Sequence, residues 1–397
     1  MTLFVDKFCI IIIEILTFYF YYVIILVVKR GEYMRVIVSA GGTGGHIYPA
    51  LAIINKIKEM EPNSEFLYIG THNRMEKELI PSLGIPYQEI EITGFIRKFT
   101  LENVKSLTRF LSARKKCLNI IKEFSPDVVI GAGGYVTAPV IWAAKKLGCK
   151  TFIHEQNSVV GLSNKYLSKY VDKIGVSFES TLKEFPRDKV ILTGNPCSEK
   201  AVNTEVAKKV DFGLTDGKKL VLIVMGSLGS KTVNDKMVEF VYGFRNKPYE
   251  VMFVTGNSYY DKVRTRRFPD NVKVVPFIEN LPSIMKCCDL MVSRAGASTM
   301  SEISALGIPT IFIPSPYVTN NHQYKNANDL VQKGAALMLE EKNLNKAMFI
   351  KMIDDVLKNE KQYNELKKNV SKLGIADSSS RIYDVLKDLI LDDKKFY

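Results

Sequence analysis

The chain has 397 residues, 46% of them hydrophobic and 24% charged, with a formal net charge of +13. That balance excludes a disordered chain, a collagen-like fibre and a polytopic membrane protein, and the length suits two to three domains. The positive excess is spread rather than held in a tail, +7 over residues 34–197 and +6 over 198–397, and it suits an anionic partner as well as a plain solvated surface.

Phe8–Val28 is an almost unbroken apolar run, interrupted by Glu14 and followed by Lys29, Arg30 and Arg35. It is long enough to cross a bilayer, and the basic flank would leave the main body in the cytosol. It reads equally as residues ahead of a translational start at Met34. A cleaved signal peptide fits less well, because no small-x-small site follows. The six cysteines form no CxxC pair, which predicts reduced thiols. The four histidines are too dispersed for a metal site, so no metal is implied.

From Met34 the chain alternates β-branched runs with helical patterns. Strands are predicted at 35–39, 66–69, 128–130, 151–154 and 173–176. A second series follows at 220–224, 250–254, 272–275, 290–292 and 310–313. Helical patterns include Pro49–Met60 and Val104–Phe124. Such alternation predicts an α/β protein with parallel sheets. Two strands open into glycine turns and then helices, with first glycines Gly41 and Gly226 lying 185 residues apart. Two doubly wound domains in tandem follow, with a boundary near Gly194-Asn195-Pro196: an extension at 1–33, then 34–197, then 198–397.

The turn Gly41–His46, GGTGGH, is neither a dinucleotide fingerprint nor a P-loop. Its glycines let backbone approach a ligand, and the helix start behind Thr43, Gly44 and Gly45 offers unpaired N–H groups to phosphate. His46, at that helix start, is a candidate general base; a locally capping histidine is the plainer reading. Further strand-end signals are the Gly131–Tyr135 turn and the cluster His154-Glu155-Gln156-Asn157. In open parallel sheets such ends form the ligand-binding rim.

In the second half, Ser227 follows the glycine turn. The run Ala297, Ser298, Thr299, Met300, Ser301 and Glu302 begins a helix suited to a diphosphate, with Glu302 placed to accept ribose hydroxyls. An ordinary helix cap explains the same residues. The loop Pro314–Asn328 carries Asn321, His322 and Gln323, which suit sugar hydroxyls. Gly94–Cys117 mixes Phe95, Ile96, Phe99, Leu107, Phe110 and Leu111 with seven basic residues against Glu102 alone. It suits an anionic lipid surface, or is a core helix with a solvated face; no nucleic-acid motif is present.

With these residues in place, the chain resembles the MurG family of glycosyltransferases. GGTGGHxxPALA, the HEQN segment, the GS-x-G turn, SRAGASTxSE and the NNHQ-x-x-NA loop occur in that order over roughly nine tenths of the chain. The resemblance implies a GT-B fold, two Rossmann-like domains facing across a cleft. It implies inverting transfer of N-acetylglucosamine from UDP-N-acetylglucosamine to undecaprenyl-diphospho-muramoyl-pentapeptide, without cofactor, at the cytoplasmic face of the bacterial membrane. In that scheme Ser227 meets phosphate, the Ile278 backbone uracil, Ala297–Ser301 the diphosphate, Glu302 the ribose and Gln323 the sugar. Thr43, Gly44, Gly45 and Asn157 approach from the first domain, and Ile96–Lys116 faces the membrane. Departures are Ser198 where many members carry arginine after the GNP motif, Met225 and Leu228 in the second glycine turn, Lys231 for a frequent arginine, and the apolar extension. Absence of a DxD motif agrees with metal independence. Another GT-B enzyme, such as a UDP-sugar 2-epimerase or glycolipid synthase, and a non-catalytic nucleotide-sugar binder are the competing readings.

Overall fold

The structure, a computed structural model, describes residues 33–94, 101–226 and 230–394, with backbone alone at 101–104 and 392–394. The Phe8–Val28 segment, Phe95–Phe99 with Arg97 and Lys98, and Ser227 lie outside the described residues.

Two parallel sheets form the frame. The first contains β1 (Arg35–Ser39), β2 (Glu65–Thr71), β3 (Tyr87–Ile90), β4 (Val128–Gly131), β5 (Lys150–Glu155), β6 (Lys173–Val176) and β7 (Val190–Leu192), in the order β3-β2-β1-β4-β5-β6-β7. The second contains β8 (Leu220–Val224), β9 (Glu250–Val254), β10 (Val272–Val275), β11 (Leu290–Ser293), β12 (Thr310–Phe312) and β13 (Leu337–Met338), in the order β10-β9-β8-β11-β12-β13. The central strands are apolar on both faces, as helix-covered parallel strands must be. In β1, Val36 and Val38 enter one core and Ile37 the other. In β8, Val221 and Ile223 face one core, and Leu220, Leu222 and Val224 the opposite one.

The ten sequence-predicted strands are all present, five with the predicted ends and five with an end shifted by a residue or two. Three strands escaped: β3, β7 and β13, all at sheet edges and at most four residues long. An edge strand lacks the two-sided apolar code; the side chains of β3, for example, run partly buried, exposed, exposed, buried. The predicted helix at 49–60 begins five residues earlier, at Gly44, and the one at 104–124 spans Leu101–Phe124. The five described cysteines are unpaired.

The final helix, Ser378–Lys394, follows the second sheet in sequence but packs on the first lobe. Ile382, Leu386 and Leu389 are buried in the core that holds Val36, Ile47 and Phe152. Tyr383 donates to Glu61 at 2.9 Å, and Lys387 pairs with the same carboxylate. The chain therefore passes between lobes twice, near 194–198 and again near 373–378, and the two passages touch. Ser378 Oγ donates to the Asn195 carbonyl at 2.6 Å, and Ser198 Oγ to the Ile375 carbonyl at 2.7 Å.

Candidate active site

In each sheet the chain reverses direction across one pair of central strands, β1 and β4 in the first and β8 and β11 in the second. Loops leaving the carboxyl ends of such a pair diverge and open a crevice. In the first lobe these loops are Gly41–Thr43 and Ala132–Tyr135. They lie backbone to backbone, with Gly41 N–H donating to the Gly133 carbonyl at 3.3 Å. A Cβ on Gly134, whose φ is +89°, would come within 2.6 Å of the Gly41 carbonyl oxygen, so only glycine fits. Thr43 is the N-cap of helix Gly44–Met60, but its side chain makes no capping bond, and the first turn holds no acid. The positive end of this helix is left open.

A buried carboxylate that sequence reasoning missed holds this turn from below. Glu76, fully buried, accepts from Gly42 N–H at 3.2 Å, Thr71 N–H at 3.3 Å and Thr71 Oγ1 at 2.7 Å. Glu76→Ala leaves these donors unpaired and is expected to cost about 1–3 kcal/mol of stability. Thermal melts with and without UDP-N-acetylglucosamine check it: an unchanged melting midpoint would contradict the bracing role.

His46 lies in the first turn of the same helix. Its Nδ1 is 3.3 Å from Gln156 Oε1, at the end of β5. Burial among protein atoms pushes its pKa below the ordinary histidine value. The Glu155 carboxylate and the Gln156 contact oppose that shift, and the His322 imidazole of the second lobe adds to it. A ring neutral at physiological pH, held in a cleft, has the chemistry of a general base. Glu155 also organises the strand end, accepting from Asn157 N–H at 3.1 Å, Gly161 N–H at 2.9 Å and Asn164 Nδ2 at 2.9 Å. His154, in the same cluster, is structural: it is fully buried on the Gly194 carbonyl at 2.9 Å, and burial pulls its pKa down to about 4.

In the second lobe, helix Ala297–Leu306 begins after β11 at Gly296. It carries no side-chain cap and no acid in its first turn. Ser298 Oγ is buried beside the Cys197 thiol, with no stronger hydrogen-bond partner. Thr299 is partly exposed, Ala297 and Met300 pack into the lobe core, and Ser301 Oγ donates back to the Ala297 carbonyl at 2.9 Å. Glu302, a turn further in, has its carboxyl pKa pushed up to about 7 by burial, with Lys200 pulling it down. Gln323 Oε1 accepts from Ser315 N–H at 2.8 Å. Ile278 follows β10 with its side chain in the core, beside the exposed Phe277.

Arg294, part of the SRAGAST run, is buried. It donates to the Ile313 carbonyl at 2.9 Å and to Ser230 Oγ at 2.7 Å, and pairs with Glu341 at 2.8 Å. It therefore braces the end of the second glycine turn from inside.

The lobes meet at these rims. Asn326, fully buried, accepts at Oδ1 from Ser158 N–H at 3.0 Å and Ser158 Oγ at 2.8 Å; its Nδ2 lies 3.4 Å from Asn157 Oδ1 and 3.3 Å from the Ala295 carbonyl. Helix Gly44–Met60 touches helix Ala297–Leu306. The helix of His46 and the strand end of Asn157 thus face helix Ala297–Leu306 and the His322–Asn326 segment across the junction. Ser198, where many members of the resembled family carry arginine, is buried in the passage between lobes. Its single hydroxyl lies 2.7 Å from the Ile375 carbonyl, 2.8 Å from the Asn195 carbonyl and 2.8 Å from Ser378 Oγ. Its hydroxyl ties two backbone segments together there.

Comparison with known proteins agrees with this architecture. Residues 36–176 match the glycosyltransferase family 28 N-terminal domain and residues 220–382 its C-terminal domain. The UDP-N-acetylglucosamine--N-acetylmuramyl-(pentapeptide) pyrophosphoryl-undecaprenol N-acetylglucosamine transferase of Bacillus cytotoxicus is 50% identical over 362 residues, 90% of this chain and 100% of that protein. The Bacillus licheniformis protein of the same name is 47% identical, covering 90% and 99%. The crystal structure of Acinetobacter baumannii MurG superposes with a TM-score of 0.73 at 27% identity, over 89% of this chain and 99% of that one. A Neisseria meningitidis UDP-GlcNAc 2-epimerase bound to UDP-GlcNAc shares the fold alone, with a TM-score of 0.60 at 14% identity, over 89% and 99%. With both family 28 domains matched and half its residues shared across the full length of such a transferase, the chain belongs to the MurG family of GT-B glycosyltransferases.

Proposed function

We infer that the chain transfers N-acetylglucosamine from UDP-N-acetylglucosamine to the 4-hydroxyl of undecaprenyl-diphospho-N-acetylmuramoyl-pentapeptide, converting lipid I to lipid II in peptidoglycan synthesis. The observation that carries this reading is the 50% identity to transferases of that name over their whole length. The opposed rims supply chemistry that fits it.

The reaction is a single inverting displacement. The muramoyl 4-hydroxyl attacks the anomeric carbon, the carbon–oxygen bond to UDP breaks, and His46 takes the hydroxyl proton. UDP leaves with negative charge beside the uncapped start of helix Ala297–Leu306, where backbone N–H groups and the Ser298 hydroxyl receive it. Ser227 adds a phosphate contact and the Ile278 backbone a uracil contact. Glu302 takes the ribose and Gln323 the sugar. Thr43, Gly44, Gly45 and Asn157 close from the first lobe. Incubation with labelled UDP-N-acetylglucosamine and the muramoyl lipid tests this, with and without chelator. Labelled disaccharide lipid in both arms is the expected result. Release of a 2-epimer without acceptor, or binding without transfer, overturns it.

The surface that meets the lipid is helix Leu101–Phe124. It exposes Leu107, Leu111, Lys105, Lys115 and Lys116. Arg114 stacks on the Trp142 ring at 3.1 Å, presenting cation and aromatic together. Among the described residues no helix is long and apolar enough to cross a membrane, and this basic helix supports binding at a membrane surface, which the reading places at the cytoplasmic face. Charge reversal of Lys105, Lys115 and Lys116 is expected to weaken binding to anionic vesicles by at least about 100-fold, at about 1 kcal/mol per basic residue. Co-sedimentation of the chain beginning at Met34, which lacks the apolar Phe8–Val28 run, measures it, and undiminished binding would contradict this docking surface.

A further inference from the structure

We propose that Gln156 is a positioning residue that fixes the tautomer of His46, so that the acceptor hydroxyl meets the Nε2 lone pair and not an N–H. The proposal rests on the reading of His46 as general base.

The argument begins at the far end of the amide. Gln156 is buried, and its Nε2 lies 2.9 Å from the Ala132 carbonyl. A carbonyl oxygen only accepts, so the amide nitrogen must stand on that side. The amide oxygen then faces His46 Nδ1 at 3.3 Å. It also only accepts, so Nδ1 must carry the proton. A neutral imidazole has one N–H, and with Nδ1 protonated the lone pair belongs to Nε2.

The seat of the ring supports the same orientation. A Cβ on Gly133, φ +102°, would fall 2.3 Å from His46 Nδ1. The Nδ1 edge therefore lies against backbone in a space that only glycine leaves free. The charged and titratable groups acting on the ring are Glu155, beside Gln156 on the first lobe, and His322, on the second. His322 is itself anchored, with Nδ1 2.9 Å from the Thr319 carbonyl, so its own Nδ1 holds a proton. Glutamine rather than a carboxylate at 156 orients the ring without adding charge beside it. The imidazole then stays neutral and ready to accept a proton at physiological pH.

The test uses the full chain labelled with ¹⁵N-histidine. With four histidines in the sequence, His46 is assigned by its loss in His46→Ala. Above the ring's pKa, the native enzyme is expected to show the Nδ1-protonated form. Gln156→Leu is expected to move the proton to Nε2 and to lower kcat roughly 10–100-fold, a part of the 10²–10⁴ that a general base contributes. KM for UDP-N-acetylglucosamine should change less than about twofold, since the amide touches the base and not the donor. Gln156→Glu keeps an acceptor facing Nδ1 but adds charge, and should shift the acid limb of the kcat/KM profile to higher pH. A native His46 protonated on Nε2 overturns the proposal whatever the kinetics show, and so does Gln156→Leu with unchanged tautomer and kcat. Failure of the general-base reading appears separately, as native turnover in His46→Ala.

Discussion

His46→Ala should fold normally, bind UDP-N-acetylglucosamine with near-native affinity, and turn over about 10²–10⁴-fold more slowly, the usual contribution of a general base. The ring belongs to the wall of a crevice rather than to a packed core, so its removal leaves the helix and both glycine turns in place. The pH dependence has a definite sign. Burial holds the His46 pKa below its ordinary value, and the base must be unprotonated to act. Activity therefore falls as pH drops through a value under about 6.5, and this acid limb disappears in His46→Ala. Isothermal titration with donor, paired with single-turnover kinetics, separates binding from chemistry. Native kcat in the variant removes the histidine from the mechanism.

The second large effect belongs to Glu302. As a carboxylate it accepts two ribose hydroxyls, and hydrogen bonds to charged groups contribute about 1.5–3 kcal/mol each. Glu302→Ala, which loses both, is expected to weaken donor binding roughly 10²–10⁴-fold. With its pKa pushed up to about 7, the carboxylate is half-formed at neutral pH. Donor affinity should therefore rise about tenfold between pH 6 and pH 8, and lie flat across that range in Glu302→Gln. The stability effect runs the other way. A carboxyl whose folded pKa lies above its unfolded value destabilises the fold increasingly as pH rises from the unfolded to the folded pKa. The ligand-free Glu302→Gln protein should thus melt higher than the native one at pH 8, a trade of stability for binding. Calorimetric titration at pH 6 and 8 checks the first claim and scanning calorimetry the second. A pH-independent native affinity contradicts the ribose role.

Much of this was legible from residue order. Ten strands announced themselves as β-branched runs because a parallel strand covered on both faces has to be apolar throughout. The glycine turns and His46 were legible because backbone that approaches a ligand restricts residue choice locally. The residues that hold the site together were not legible as such, because their partners are distant in the chain. Glu76 braces a turn 34 residues earlier, Gln156 meets a ring 110 residues away, and Asn326 joins a serine 168 residues away. Nothing in a lone Asn or Gln announces such a reach. The available signal was coarse: polar amides at strand ends, where a solvent-facing loop would accept almost anything. Ser198 is the converse case. Read as a missing arginine, it proves to be a buried hydroxyl whose partners lie 177 and 180 residues further along the chain.

The adjacency of the two passages between lobes governs how this enzyme can open. A body joined at a single strand can swivel like a ball in a socket. Here two strands run side by side and are stitched by the hydroxyls of Ser198 and Ser378. Two stitched tethers leave the lobes less relative freedom than one would. Any separation of the lobes about these tethers must also break the Asn326 contact to Ser158.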